Sequence, residues 1–347
     1  MPPNNTHQRF VVAEDEEFEE DFHVHDVEER KLRFRPVEIY KDIINLDWSK
    51  VVWRNVILFV LLHSYAVYGI YLCISGQSRW QTVFFSVLLY VFGGLGITMG
   101  AHRLWSHKSY KATWPVRFGL MLCQTLAFQN SIFEWSRDHR VHHKFTETDA
   151  DPHNARRGLF FAHMGWLMTR KHPDVFKFGK TLDYSDLLSD PIVKWQHQNY
   201  LPLVFTVCFV MPTVIPVMLW NENWVTALMV AGFLRYTVIL HFTWTVNSLA
   251  HYIGNKPYDK TINATENPLV TYLALGEGWH NFHHVFPYDY RAAEFGGIAA
   301  KSFTTIVIEF FSRIGMTYEL KAATDSLIER RMLRTGDHSK RPMKPEE

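Results

Sequence analysis

The sequence predicts an all-α integral membrane protein, with four transmembrane helices in two hairpins and a cytosolic helical cap. Two observations predict it. Four apolar stretches approach the roughly 20 residues a membrane-spanning helix needs, and very short connectors join them in pairs. The cations, moreover, are divided unevenly between the two ends that such helices would have.

The stretches are VILFVLLHSYAVYGIYLCI (56–74), TVFFSVLLYVFGGLGITMGA (82–101), LPLVFTVCFVMPTVIPVMLW (201–220) and WVTALMVAGFLRYTVILHFTWTV (224–246). SGQSRWQ links the first two and NEN the last two, so each pair reads as a hairpin. Trp and Tyr gather near the ends, as in interfacial belts. Two hairpins leave residues 1–55, 102–200 and 247–347 on one side. That side carries Arg103, Lys108, Arg137, Arg140, Lys144, Arg170 and Lys171 among others, whereas the opposite connectors offer only Arg79. The positive-inside rule makes the large side cytosolic. A fifth stretch, VRFGLMLCQTLAF (116–128), is too short and polar to span, and reads as a helix at the surface or buried under the cap. Arg235 lies inside the fourth stretch, where a charge needs partners. A structural pairing is expected, with no partner identifiable from sequence.

Composition agrees with a stem diluted by polar parts. Of 347 residues, 47% are hydrophobic and 15% aromatic, yet the mean hydropathy is only −0.13. A net charge of +1 offers no global field for nucleic acid. EDEEFEEDF (14–22) reads as a solvated acidic arm. The expected organisation is an N-terminal cytosolic arm over 1–50, a single stem-plus-cap domain over 51–320 and a cytosolic tail over 321–347. No apolar leader is visible at the N-terminus, so no cleavable signal peptide is expected. Cys73, Cys123 and Cys208 sit in apolar stretches and read as free core residues.

Histidine is where chemistry enters. HRLWSH supplies His102 and His107, HRVHH supplies His139, His142 and His143, and HNFHH supplies His280, His283 and His284. NSLAH adds Asn247 and His251. All fall on the expected cytosolic side. Positions i and i+4 share a helix face while neighbours diverge by about 100°. His139 and His143 can therefore face one metal while His142 turns to another. His280 and His284 share a face and His283 diverges. His102 and His107, five apart, share no α-helical face, which suggests a helix end or bend. Imidazoles without thiolates suit Fe, Zn, Cu or Ni, and nine exceed one closed structural site. The cap is thus expected to hold a di-metal centre. Glu277, in EGWH, reads as coincidental. His63, His153, His163, His172, His197 and His241 read as ordinary core or surface residues.

With GAHRLWSHKSYKA, RDHRVHHKF, DADPHN, GWLMTRKHP, FLRYTV, NSLAH, KPYDK and GEGWHNFHHVFPYDY, the chain resembles the membrane-bound acyl-CoA desaturases, specifically the stearoyl-CoA (Δ9) group of animals. The resemblance runs over most of the chain. It implies two Fe ions, with His102, His107, His139, His143 and His283 on one. His142, His251, His280 and His284 would hold the other, with Asn247 acting through a water. It implies O2 as co-substrate, and cytochrome b5 with its NADH-dependent reductase as donor. A long-chain acyl-CoA would be the substrate, in the endoplasmic reticulum membrane with both termini cytosolic.

The same resemblance implies that Asn55, Asn130, Arg137, Asp138, Arg170 and Lys171 bind the CoA head. Gln129, Trp135, Thr243 and Trp244 would line the acyl tunnel around its kink, and Tyr90 and Gly94 would close its far end, favouring an 18-carbon chain. Within enzymes, the alternatives are a desaturase of other regiospecificity and a membrane di-iron fatty acid hydroxylase. A His-lined metal transporter is disfavoured, because the clusters lie at or beyond the ends of the apolar stretches. Sequons at Asn4 and Asn263 should stay unglycosylated if the sidedness holds.

Overall fold

The computed structural model describes residues 11–12 and 47–340; the acidic run 14–22, most of the 1–50 arm, the Asn4 sequon and residues 341–347 lie outside the described residues. The fold is helical. Among the described residues, four helices are long and apolar enough to cross a membrane: α1 (Trp53–Ile74), α2 (Trp80–Ser106), α5 (Tyr200–Trp220) and α6 (Trp224–Tyr252). Between them come α3 (Trp114–Ala127) and α4 (Ile132–Lys144). After them come the short α7 (His280–Val285) and α8 (Phe303–Arg313). Two-residue strand pairs, Lys111–Ala112 with Thr317–Tyr318 and Val11–Val12 with Lys321–Ala322, are the sheet structure of the described residues.

The stem wears its apolar residues outward. Ile74 is 82% exposed, Met218 75% and Leu201 74%. A face this apolar is unstable in water and stable in hydrocarbon, which makes the chain a multi-pass membrane protein. The second and fourth spans outrun the expected 82–101 and 224–246, because their helices continue through the His-bearing turns to Ser106 and Tyr252.

From Gly96 to Ser106 helix α2 is π-wound. The His107 amide donates to the His102 carbonyl, five residues back, at 3.1 Å. In that winding, residues five apart stack on one face. His102 and His107 therefore do face together, contrary to the α-helical expectation. The turn begins at Gly96, where a Cβ would lie 2.1 Å from the Gln124 amide nitrogen. The bare glycine lets α2 and α3 touch backbone to backbone. Helix α3 is accordingly the buried fifth helix, with Met121, Gln124, Thr125 and Ala127 fully covered.

Arg235 has partners, and they are carbonyls. Its guanidinium donates to Leu126 O at 2.8 Å, Cys208 O at 2.8 Å and Ala231 O at 3.1 Å. Leu126 is in the last turn of α3, where carbonyls lack helical donors. Cys208 lies four residues before Pro212, which has no N–H to return. Cys73, Cys123 and Cys208 are free thiols.

Candidate metal centre

Helix α4 carries three of the histidines and is started firmly. Ser131 caps it by accepting from the Glu134 amide, and the Glu134 carboxylate returns to the Ser131 amide. Its HRVHH turn meets the π-turn of α2, the end of α6 and helix α7. Two groups result. His102, His107, His139, His143 and His283 have one nitrogen each within 4.8 Å of one another, and so do His142, His251, His280 and His284. The separation of His142 from His139 and His143, and of His283 from His280 and His284, is the one that helix faces predict, whereas His102 and His107 share a group against that expectation.

Within the groups, ring nitrogens confront one another. Nε2 separations are 2.9 Å for His102–His283, 2.8 Å for His107–His139 and 3.0 Å for His143–His283. In the second group they are 3.1 Å for His251–His280 and 3.0 Å for His280–His284. Neighbouring ligands about 2.1 Å from a shared metal stand about 3 Å apart. Protonation points the same way. His102 Nδ1 donates to Glu277 Oε2 at 2.9 Å, and His142 Nδ1 to Asp151 Oδ1 at 2.9 Å. A neutral ring that donates from Nδ1 offers only a lone pair at Nε2. Burial, helped by the neighbouring rings, pushes His107, His139, His143, His280, His283 and His284 well below the ordinary imidazole range. Neutral lone pairs converging at these distances fit a cation between them, and that donor set can bind metal.

Three carboxylates surround the histidines. Glu277, expected to match the Glu-x-x-His ligand spacing only by coincidence, is in neither histidine group; it is buried and joins His102 to Arg103, whose Nη2 donates to its Oε1 at 2.7 Å. Burial opposes its ionisation, but Arg103 and His102 outweigh that and hold its carboxyl at about 2. Asp151 is likewise opposed by burial and held well below the carboxylate range by His142 and His153. Glu147, at φ 63, reaches His251 Nδ1 at 3.4 Å and also bonds Asn263. Asn263 is therefore buried in the cap, and the absence of a glycan there says nothing about sidedness. His153, read as an ordinary core or surface residue, is in the core, in a buried group with His142 and Asp151. In sequence, the DAD run that begins six residues after His143 was the available signal for Asp151, nine residues from His142; Glu147 had none.

An apolar cavity opens onto both groups. His102, His139, His142, His280 and Asn247 line one end, and Trp135 and Thr243 flank it. Tyr90, Gly94, Leu273 and Leu275 line its remainder. Gln129 Nε2 donates to Thr243 Oγ1 at 3.0 Å. Trp244, expected in the tunnel, is instead buried on another face of α6, T-shaped against Phe59 at 5.7 Å. Among the polar residues, Asp138 is paired with Arg137 at 2.9 Å and with Lys171. Asn55 donates to the Leu167 carbonyl at 2.8 Å, Arg170 is exposed, and Asn130 holds a left-handed turn at φ 67 after α3.

A family profile described as fatty acid desaturase matches residues 78–293. The chain is 59% identical over 290 residues to the acyl-CoA Delta-9 desaturase of Acheta domesticus, covering 84% of this chain and 80% of that one. It is 52% identical over 289 residues to stearoyl-CoA desaturase 5 of Bos taurus, covering 83% and 85%. To the acyl-CoA Delta(11) desaturase of Trichoplusia ni it is 49% identical over 290 residues, covering 84% and 82%. With the family's profile on most of the helical frame and such relatives over four-fifths of its length, this chain belongs to the fatty acid desaturase family, a family of oxidoreductases.

Proposed function

We propose that this protein is an acyl-CoA desaturase that inserts a cis double bond, at Δ9, into saturated C16–C18 acyl-CoA. The observation that carries the reading is the pair of convergent histidine groups walling one end of an apolar cavity. In this reading His102, His107, His139, His143 and His283 hold one Fe ion. His142, His251, His280 and His284 hold the other, with Asn247 contributing through a water. The di-iron pair supplies the oxidising power, drawn from O2, that no side chain possesses. The balance is one O2, two electrons and two protons consumed, two hydrogens removed from adjacent methylenes, and two waters released. Cytochrome b5, reduced from NADH by its own reductase, is the donor.

The side chains position and insulate. Glu277 and Asp151 fix the tautomers of His102 and His142 and so aim their Nε2 lone pairs. Trp135, Thr243 and Gln129 shape the apolar passage that holds C9 and C10 beside the histidines. Tyr90 and Gly94 stand where the chain ends. Arg137, Arg170 and Lys171, with Asn55, Asn130 and Asp138, meet the phosphates and polar groups of CoA at the cavity mouth. In this reading the protein sits in the endoplasmic reticulum membrane, with the cap and both termini in the cytosol.

The relative named as a Delta(11) desaturase favours a second reading, in which the same centre acts at another position of the chain. Expression in yeast lacking its own Δ9 desaturase tests both. Double-bond positions in derivatised fatty acids distinguish a 9-unsaturated product from an 11-unsaturated one. A hydroxylated product, or none despite bound iron, would overturn the reading.

A further inference from the structure

The turn after Pro268–Leu273 closes the cavity away from the histidines. Tyr90 Oη donates to the Leu273 carbonyl, and Leu275 packs over Gly94. Gly94 and His102 lie on the same helix, which puts this wall roughly 10 Å from the metal end.

Leu275 sits at φ 55, in a left-handed conformation that bulky residues rarely adopt. It is fastened from outside the cavity. The Thr304 amide and hydroxyl both donate to its carbonyl, at 3.0 and 2.9 Å. The next residue, Gly276, has φ 120, and a Cβ there would lie 2.0 Å from Ser302 Oγ. The Gly276 amide donates to the Thr271 carbonyl at 2.8 Å. A backbone fixed this way aims its side chain. That side chain occupies the space left by the missing Cβ of Gly94: a Cβ built there would lie 2.5 Å from Leu275 Cδ1, and the only other neighbour it meets among the described residues is Leu275 Cγ, at 3.5 Å.

We propose that Leu275 is the end wall that sets acyl chain length, and that Gly94 acts by making room for it. The inference rests on the acyl-CoA desaturase reading. The terminal methyl stops against the Leu275 side chain, so a longer chain must displace a residue whose backbone has no freedom to yield. One misfitting methylene in an apolar pocket is worth about tenfold or more in discrimination.

The test is product chain length, measured with the full chain and a mixture of saturated acyl-CoAs from C14 to C22. Leu275→Ala raises the ratio of C20 to C18 product by about tenfold. Leu275→Phe shifts product toward C16 and shorter by a similar factor. Gly94→Ala pushes Leu275 into the cavity and also shortens the product, and this shift disappears in the Leu275→Ala background. If Leu275→Ala does not accumulate, Leu275→Phe and Leu275→Met carry the same comparison. Wild-type product ratios in the Leu275 variants would overturn the proposal, as would an undiminished Gly94→Ala effect in the Leu275→Ala background. A wild-type protein that makes no unsaturated product fails the desaturase reading instead, a different outcome from an unchanged ratio.

Discussion

Glu277 binds His102 and Arg103 at once: Oε2 accepts from His102 Nδ1 at 2.9 Å and Oε1 from Arg103 Nη2 at 2.7 Å. The Arg103 guanidinium is 1% exposed and also donates to the carbonyls of Tyr290 at 2.9 Å and Arg291 at 3.0 Å and to Thr305 Oγ1 at 2.8 Å. One carboxylate thus ties the π-turn of α2 to the segment just before α7 and sets which nitrogen of His102 is free, while Arg103 reaches on to the loop before α8.

Glu277→Gln keeps an acceptor for His102 but leaves Arg103 without a countercharge. Loss of a partner behind a metal-binding imidazole costs roughly 10–100-fold in metal affinity, and breaking a buried ion pair costs about 3–5 kcal/mol. Iron per chain after mild chelation should therefore fall in Glu277→Gln and further in Glu277→Ala. Full iron in the alanine variant would remove Glu277 from any role at the centre.

What sequence could and could not show divides along the range of the contact. The histidine groups were legible because their members repeat within one helical turn, and the faces of α4 and α7 follow from local geometry. The joint face of His102 and His107 was not, because π-winding is set by the packing of Gly96 on α3. Glu277 sits 174 residues from Arg103, and no spacing rule reaches so far. Arg235 illustrates the same limit: its partners are backbone carbonyls, which leave no mark in sequence beyond Pro212. Trp244 was misplaced because neighbouring residues on α6 diverge by about 100°, so Thr243 meets the cavity and Trp244 does not.

Arg235 and Pro212 should be energetically coupled. Arg235→Met deprives Leu126 O and Cys208 O of a donor, and each buried unsatisfied carbonyl costs about 1–3 kcal/mol. Pro212→Ala restores an N–H on the turn that faces Cys208 O. Thermal unfolding in detergent should show a large loss for Arg235→Met and a smaller one in the Pro212→Ala background. Strict additivity would show that the carbonyl and not the proline dictates the arginine.

Gly96 and Gly119 make opposed predictions within one helix pair. A Cβ at Gly96 meets the backbone of Cys123 at 2.2 Å and of Gln124 at 2.1 Å, whereas one at Gly119 meets nothing within 4 Å among the described residues. Gly96→Ala must part α2 from α3, carrying His102 with it, and should cost more than the ~1–3 kcal/mol of ordinary overpacking. Gly119→Ala should stabilise α3 by about 0.5–1 kcal/mol through helix propensity. Melting temperatures of the two variants, read beside their iron content, check both signs. Equal effects would refute the contact.

The last prediction concerns pH and Glu266. Its Oε1 accepts from the Phe282 amide in α7 at 2.9 Å, and Lys340 approaches Oε2 at 3.7 Å. Burial dominates over that lysine and lifts the carboxyl to about 7. The folded protein then keeps a proton that the unfolded chain releases near pH 4.5, so the folded state binds more protons and stability falls as pH rises from about 4.5 to 7. The whole window is worth roughly 3 kcal/mol. Glu266→Gln remains neutral throughout, so its melting temperature should gain on the wild type from pH 5 to 7 and hold a constant lead above that. A lead that is already constant from pH 5 would mean that Lys340 keeps Glu266 ionised, and that the tail ion pair, not a proton, satisfies the carboxylate beneath α7.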